Sequence, residues 1–240
     1  MSYCKKITNS MRGLLPLLMI LPFAACTELG LGNLFGAADN KSQERNALLA
    51  ALLLSQSSSS SSCPCQLGNA CFTPSSGVTC SGGSATGTGT LTSDSPTSSS
   101  ETNNFVSLQI TVTLAANGSN VILNTASTSI STNQVGIKIN HTGDATAVST
   151  TTEAEAFDGA GTHQGAPGST ATTYCLESHA PGEGHVMLKK ATCPSGTEAA
   201  NTVREKSGLS TTGAGNTWGF RLNNATISSL TRNSSKKFTE

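Results

Sequence analysis

Phe105-Val106-Ser107-Leu108-Gln109-Ile110-Thr111-Val112-Thr113-Leu114 alternates apolar and polar side chains along almost its whole length. With a period of two, Val106, Leu108, Ile110, Val112 and Leu114 fall on one side of an extended chain and Ser107, Gln109, Thr111 and Thr113 on the other, the pattern of a half-buried strand. The alternation returns at Val135, Ile137 and Ile139, and again at Trp218, Phe220 and Leu222, which alternate with Gly219 and Arg221. The aromatic pair makes this last stretch the expected anchor of the core. Asn117-Gly118 tolerates positive φ and predicts a hairpin that returns along residues 121–125. A weaker strand includes Val148, and residues 153–157 read as a short strand or a turn of helix. Residues 174–179 and 185–190 flank Ala180-Pro181-Gly182-Glu183-Gly184, a strong turn signal, and predict a second hairpin. With residues 202–206 this makes six to eight short strands, and the expected fold of residues 103–240 is mainly β, an antiparallel β-sandwich or a related barrel.

Upstream of that domain the composition changes. Residues 57–62 are all serine, and residues 81–104 are almost entirely Ser, Thr and Gly. Such segments offer too little apolar surface to offset the entropy of ordering, so residues 26–102 read as a tether. Two features interrupt it. Residues 41–56 favour a short helix, with Asp39 or Asn40 as cap and an unbroken apolar octet at 47–54 that is too short to cross a bilayer. Residues 63–80 hold four cysteines, Cys63, Cys65, Cys71 and Cys80.

The eight cysteines of the chain divide by position. Cys4 lies near the start and Cys26 ends an apolar segment. The remaining six, the cluster together with Cys175 and Cys193, suit up to three disulfides in an oxidising compartment. A disulfide between Cys175 and Cys193 would staple the second hairpin at its open end. A zinc ion held by the four clustered thiolates is the competing reading, disfavoured by Cys-x-Cys spacing where paired Cys-x-x-Cys is usual.

Lys5, Lys6 and Arg12 precede an uncharged run over residues 13–25, which ends in Leu21-Pro22-Phe23-Ala24-Ala25-Cys26. A basic start followed by a short apolar run is the pattern of an export signal. The closing stretch resembles a bacterial lipobox. Small residues precede the cysteine, and Phe23 stands where Leu is commonest, as in the relaxed lipobox of spirochaete lipoproteins. The resemblance covers only the first 26 residues. It implies a signal peptide over residues 1–25 and, at Cys26, a thioether-linked diacylglycerol with further acyl chains such as palmitate. Each buried methylene contributes about 0.8 kcal/mol, so two or three chains anchor stably without a transmembrane helix. The implied location is the cell envelope, most naturally the outer membrane on its surface or periplasmic face, with the membrane as partner through the lipid and no other cofactor.

Function is less legible. The 240 residues carry 14 basic and 14 acidic side chains, 12% charged and 4% aromatic. Removing residues 1–25 leaves 11 basic against 14 acidic, a balance with nothing to steer the protein to nucleic acid. Arg232, Lys236 and Lys237 read as a solvated end. His179 and His185 face each other across the second turn with Glu183 inside it, a weak candidate set for a divalent transition metal. His163 sits in a loop without a partner. No nucleophile elbow, zinc-binding helix or phosphate-cradling loop is visible, which weighs against an enzyme. The expectation is a lipid-anchored module whose β-domain binds a protein or glycan at the surface. The alternative is a cell-envelope enzyme with a loop-assembled, metal-dependent site.

Overall fold

The computed structural model describes residues 62–99, 104–127, 129–158, 165–180, 184–199, 203–211 and 215–239. The expected signal segment, Cys26 and the helix expected at 41–56 lie outside these residues. The chain divides into two units, 1–61 and 62–240, and the second holds all that follows. Every regular element among the described residues is a strand.

Two long strands organise the sheet. β4 (Ser84–Ser93) and β14 (Thr217–Arg232) are antiparallel neighbours, pairing from Gly219 opposite Thr92 to Ile227 opposite Ala85. Midway both change course. Leu222 faces Gly89 and Ala225 faces Gly87, so Asn223 and Asn224 stand opposite Thr88 alone, which is a β-bulge. Asn224 takes a φ of 49° and donates its backbone N–H to Thr88 Oγ1 at 2.9 Å. Gly87, at φ 135°, can bend there because it has no Cβ, and one added would collide with the Gly77 carbonyl.

Beyond the bend each strand serves a different leaf. The first leaf runs β3 (Val78–Ser81), the start of β4, the end of β14, β6 (Asn104–Leu114), β10 (Thr172–Ala180), β11 (Gly184–Lys189) and β13 (Arg204–Leu209). The second runs β1 (Cys65–Leu67), β2 (Ala70–Pro74), the end of β4, the start of β14, β7 (Asn120–Ser127), β8 (Gly136–Asn140) and β9 (Thr146–Val148). β5 (Ser98–Ser99) extends the first leaf along β6. A separate parallel pair, β12 (Glu198–Ala199) and β15 (Phe238–Thr239), completes the set.

The leaves face each other over one core. Leu108, Ile110 and Val112 of the first leaf share a buried cluster with Val121, Leu123 and Ile137 of the second. Thr125 and Ser178 meet across the interior, hydroxyl to hydroxyl at 2.6 Å. At one end Trp218, Phe220 and Phe72, all fully buried, pack with ring centroids 5.3 to 6.2 Å apart, worth about 0.5–1.5 kcal/mol per pair beyond area burial. Burial pushes the pKa of Tyr174, in the same core, up to about 12.

The architecture is thus the expected antiparallel sandwich, open at its edges. Its boundary differs from the expected one. Residues 65–93, read as tether, form four strands of the main sheet. Leu67, Phe72, Ala85 and Leu91 point inward and are fully buried, and the Ser, Thr and Gly between them are what outward positions of a strand tolerate. The turn at Asn117-Gly118 exists, with Gly118 at φ 87°, but β6 and β7 do not pair. Both pair with β14, so this turn carries the chain from the first leaf to the second. Arg232 is no solvated end: its guanidinium lies 5.2 Å over the Trp218 ring and donates to the Pro96 carbonyl at 2.6 Å.

The six cysteines pair as Cys63–Cys71, Cys65–Cys80 and Cys175–Cys193, so the described structure holds no four-thiolate set. Cys65–Cys80 joins β1 of the second leaf to β3 of the first. On the opposite side residues 149–158 span the gap, with Glu155 exchanging backbone hydrogen bonds with Ala147 beside β9 and Asp158 pairing with Glu205 of β13. Cys65→Ala/Cys80→Ala removes the covalent closure of a separation of 15 residues. The expected loss is about 3 kcal/mol, seen as a lower urea midpoint, with a slope that does not fall because the unfolded chain without the cross-link exposes at least as much surface.

Candidate functional site

The residues singled out from sequence lie on the outer face of the first leaf. The β10–β11 register places His179 opposite His185, their rings 5.6 Å apart and edge to face. Sequence reading missed the third member. Glu177, two residues back on the same face, sets Oε1 2.8 Å from His179 Nε2, and both side chains are fully buried. The other carboxylate oxygen accepts the backbone N–H of Lys237 at 2.6 Å. Phe238 then packs with Cys175, Met187 and Val203 in a small second core, where the Cys175–Cys193 disulfide also lies. The i, i+2 spacing was visible in the sequence, but its partner is some sixty residues away, and no local pattern announces that.

The cluster therefore fastens the C-terminal segment onto the sheet. Glu177 takes the Nε2 atom of His179 at 2.8 Å, and His185 lies 3.7 Å from Glu205. Glu183 is outside the described residues. Among the described residues no three His, Cys, Asp or Glu side chains gather to hold a metal ion. His163 also lies outside the described residues, and His141 follows β8 with its ring within 3.1 Å of the Ser169 hydroxyl. Glu177→Ala leaves the His179 ring and the Lys237 N–H without this buried acceptor. The expected cost is about 3 kcal/mol, with amide exchange at Lys237 accelerating before that of the β4–β14 ribbon.

A second site, not foreseen from sequence, lies on the outer face of the second leaf beside the bend. Here Arg221 of β14, Ile122 of β7 and Lys138 of β8 share one outward row. Glu153, on the segment that crosses from β9, reaches over this row. One oxygen lies 2.9 Å from Arg221 Nη1 and the other 2.8 Å from Lys138 Nζ. This bridge roofs Ile122, which is why an outward-facing isoleucine is only 3% exposed. Arg221 Nη2 also donates to Asn133 Oδ1 at 2.7 Å.

Beside the bridge opens a shallow cleft of about 350 Å³. Its walls include Thr88, Thr90, Asn120, Asn223, Arg221 and Glu153. The Nδ2 groups of Asn120 and Asn223 both donate to the Gly118 carbonyl, at 3.2 and 3.0 Å, which fixes the two amides and leaves their oxygens as the ends available to a ligand. Burial alone would raise the Glu153 pKa, but Lys138 and Arg221 outweigh it and hold the carboxyl below its ordinary value of 4.5. A depressed carboxyl pKa gives stability that is present above pH 4.5 and lost as pH falls through the folded-state value. Thermal unfolding of wild type and Glu153→Gln should accordingly differ near neutrality and converge as the medium is acidified below pH 4.5.

No protein-family model, curated protein or solved structure matches the chain.

Proposed function

We propose that this protein is a lipid-anchored interaction module of the bacterial cell envelope. In this reading residues 1–25 direct export, Cys26 carries the lipid, residues 27–61 form the tether, and the sandwich presents its outer faces to a ligand. The observation that carries it is the pairing of all six cysteines of the sandwich in three disulfides, one joining the edges of the two leaves. Such bonds persist in oxidising compartments outside the cytoplasm, and the N-terminal segment reads as a signal for export to one. A binding role, in preference to catalysis, is supported by the polar cleft with its mutually paired charges.

The test is the intact mass of membrane-extracted protein, wild type beside Cys26→Ser, with protease added to whole cells. A mass equal to cleavage before Cys26 plus acyl chains, lost in Cys26→Ser, is expected. Cleavage by external protease would add surface display, and protection would place the domain in the periplasm. An unacylated wild-type product would overturn the anchor.

A further inference from the structure

The strands around the bend carry an outward surface of one chemistry. Across the first leaf, Thr79, Thr86, Thr226 and Thr113 stand side by side on β3, β4, β14 and β6. None of the four is buried. The next outward row is again only serine and threonine and ends in Thr111 opposite Thr173. Neighbouring hydroxyls bond one another, Thr86 with Thr226 and Thr111 with Thr173, each pair at 2.9 Å. The hydroxyls therefore recur about every 4.8 Å across strands and about every 6.8 Å along them. Neither row contains a charged or aromatic side chain.

This surface continues into the cleft. Along the middle of β4 the outward positions are Thr86, Thr88 and Thr90, because Ala85 and Leu91 point into the core and glycines fill the positions between. Thr86 belongs to the rows of the first leaf, and Thr88 and Thr90 line the cleft. The two charged residues that line the cleft, Glu153 and Arg221, pair with each other, and Lys138 beside them shares the same carboxylate, so the cleft offers hydrogen-bond donors and acceptors and both cations there are already engaged in ion pairs.

We propose that the threonine rows and the cleft form one continuous binding track for an uncharged linear glycan, lying along β4 with one sugar unit seated in the cleft. Sugar hydroxyls are donors and acceptors at once, which matches threonine hydroxyls along the track and the fixed oxygens of Asn120 and Asn223 within the cleft. The rows themselves carry no cation to pair with the repeated charges of a polyanion, and their repetition suits a polymer better than a single compact metabolite. This inference deepens the binding reading given above and rests on it.

The experiment uses the full chain in a sugar-free detergent, titrated calorimetrically with cellohexaose, chitohexaose and maltohexaose, and with heparin as the charged comparison. At least one neutral hexasaccharide should bind with an affinity that salt hardly changes, and more tightly than heparin. Thr86→Val and Thr90→Val preserve shape and strand preference. Each should weaken that binding about fivefold, the equivalent of one hydrogen bond, while cooperative unfolding is retained, with at most a small loss in Thr86→Val from its exposed bond to Thr226. No binding of any neutral hexasaccharide at millimolar concentration would overturn the proposal. Binding that ignores both substitutions, or that favours heparin and vanishes with salt, would do so as well. The acylation experiment reads separately: acylated protein that binds no glycan removes the ligand and keeps the anchor, and glycan binding by an unacylated product removes the anchor and keeps the track.

Discussion

β4 and β14 belong to both leaves, so they must bend at the same level or lose their mutual hydrogen bonds. Asn223 and Asn224 add two residues against one on β14, and Gly87 and Gly89 bend β4 directly opposite. The Asn224 N–H, freed from the ladder by the bulge, is taken up by Thr88 Oγ1. The Asn224 carbonyl accepts the N–H of Ala115, the residue after β6. The bend is thus tied to both flanking elements, and everything outward from it follows. β6 and β7, consecutive in sequence, separate because each pairs with a different half of β14.

The same arrangement explains which parts of the fold were legible. The alternation over 105–114 and 218–222 identified strands whose inward positions are all large and apolar. The β10–β11 hairpin was legible because its turn signal and flanking strands are local, and His179 does stand opposite His185. β3 and β4 were not, because their inward positions are filled by Ala85, Leu91 and two glycines against Val78 and Cys80, too sparse a signal among Ser and Thr. Composition suggested a tether there, but tertiary packing outweighs composition where a neighbouring strand supplies the apolar cover. The Glu177 latch and the Glu153 bridge were illegible for another reason. Each joins groups brought together only by long-range pairing: the Lys237 backbone N–H to the Glu177 carboxylate, and Arg221 to Glu153 on the segment after β9.

An open sandwich leaves strand edges that must be covered or they invite pairing with other chains. Here the two sides are closed by different means. On one side Cys65–Cys80 fixes β1 to β3 covalently, where the strands are short and little apolar area is available to hold them. On the other, residues 149–158 bridge β9 and β13 through backbone hydrogen bonds. Lys206 adds an ion pair to Asp158 at 2.8 Å, an exposed contact of small energetic weight that nonetheless favours this register. With aromatics at only 4% of the sequence, the core rests mainly on branched aliphatic side chains, and the closures matter more than they would around an aromatic-rich interior.

Ser and Thr serve two purposes in this chain, and their setting separates the two. Over residues 57–62 the sequence is serine alone, with no alternating apolar position. In β3, β4, β14 and β6 the same residue types occupy outward positions of strands whose inward positions are buried or half-buried, and cross-strand hydroxyl pairs such as Thr86–Thr226 hold their rotamers. A charged face would keep such a sheet soluble but would impose a desolvation cost on any partner. A hydroxyl face exchanges water for another hydroxyl at nearly equal hydrogen-bond strength, so contact with a hydroxyl-bearing polymer costs little and is favoured where the spacing repeats. The charges beside the cleft fit the same logic. Glu153 bridges Arg221 and Lys138 over Ile122, so two cations share one carboxylate and shape the cleft wall while engaged in ion pairs.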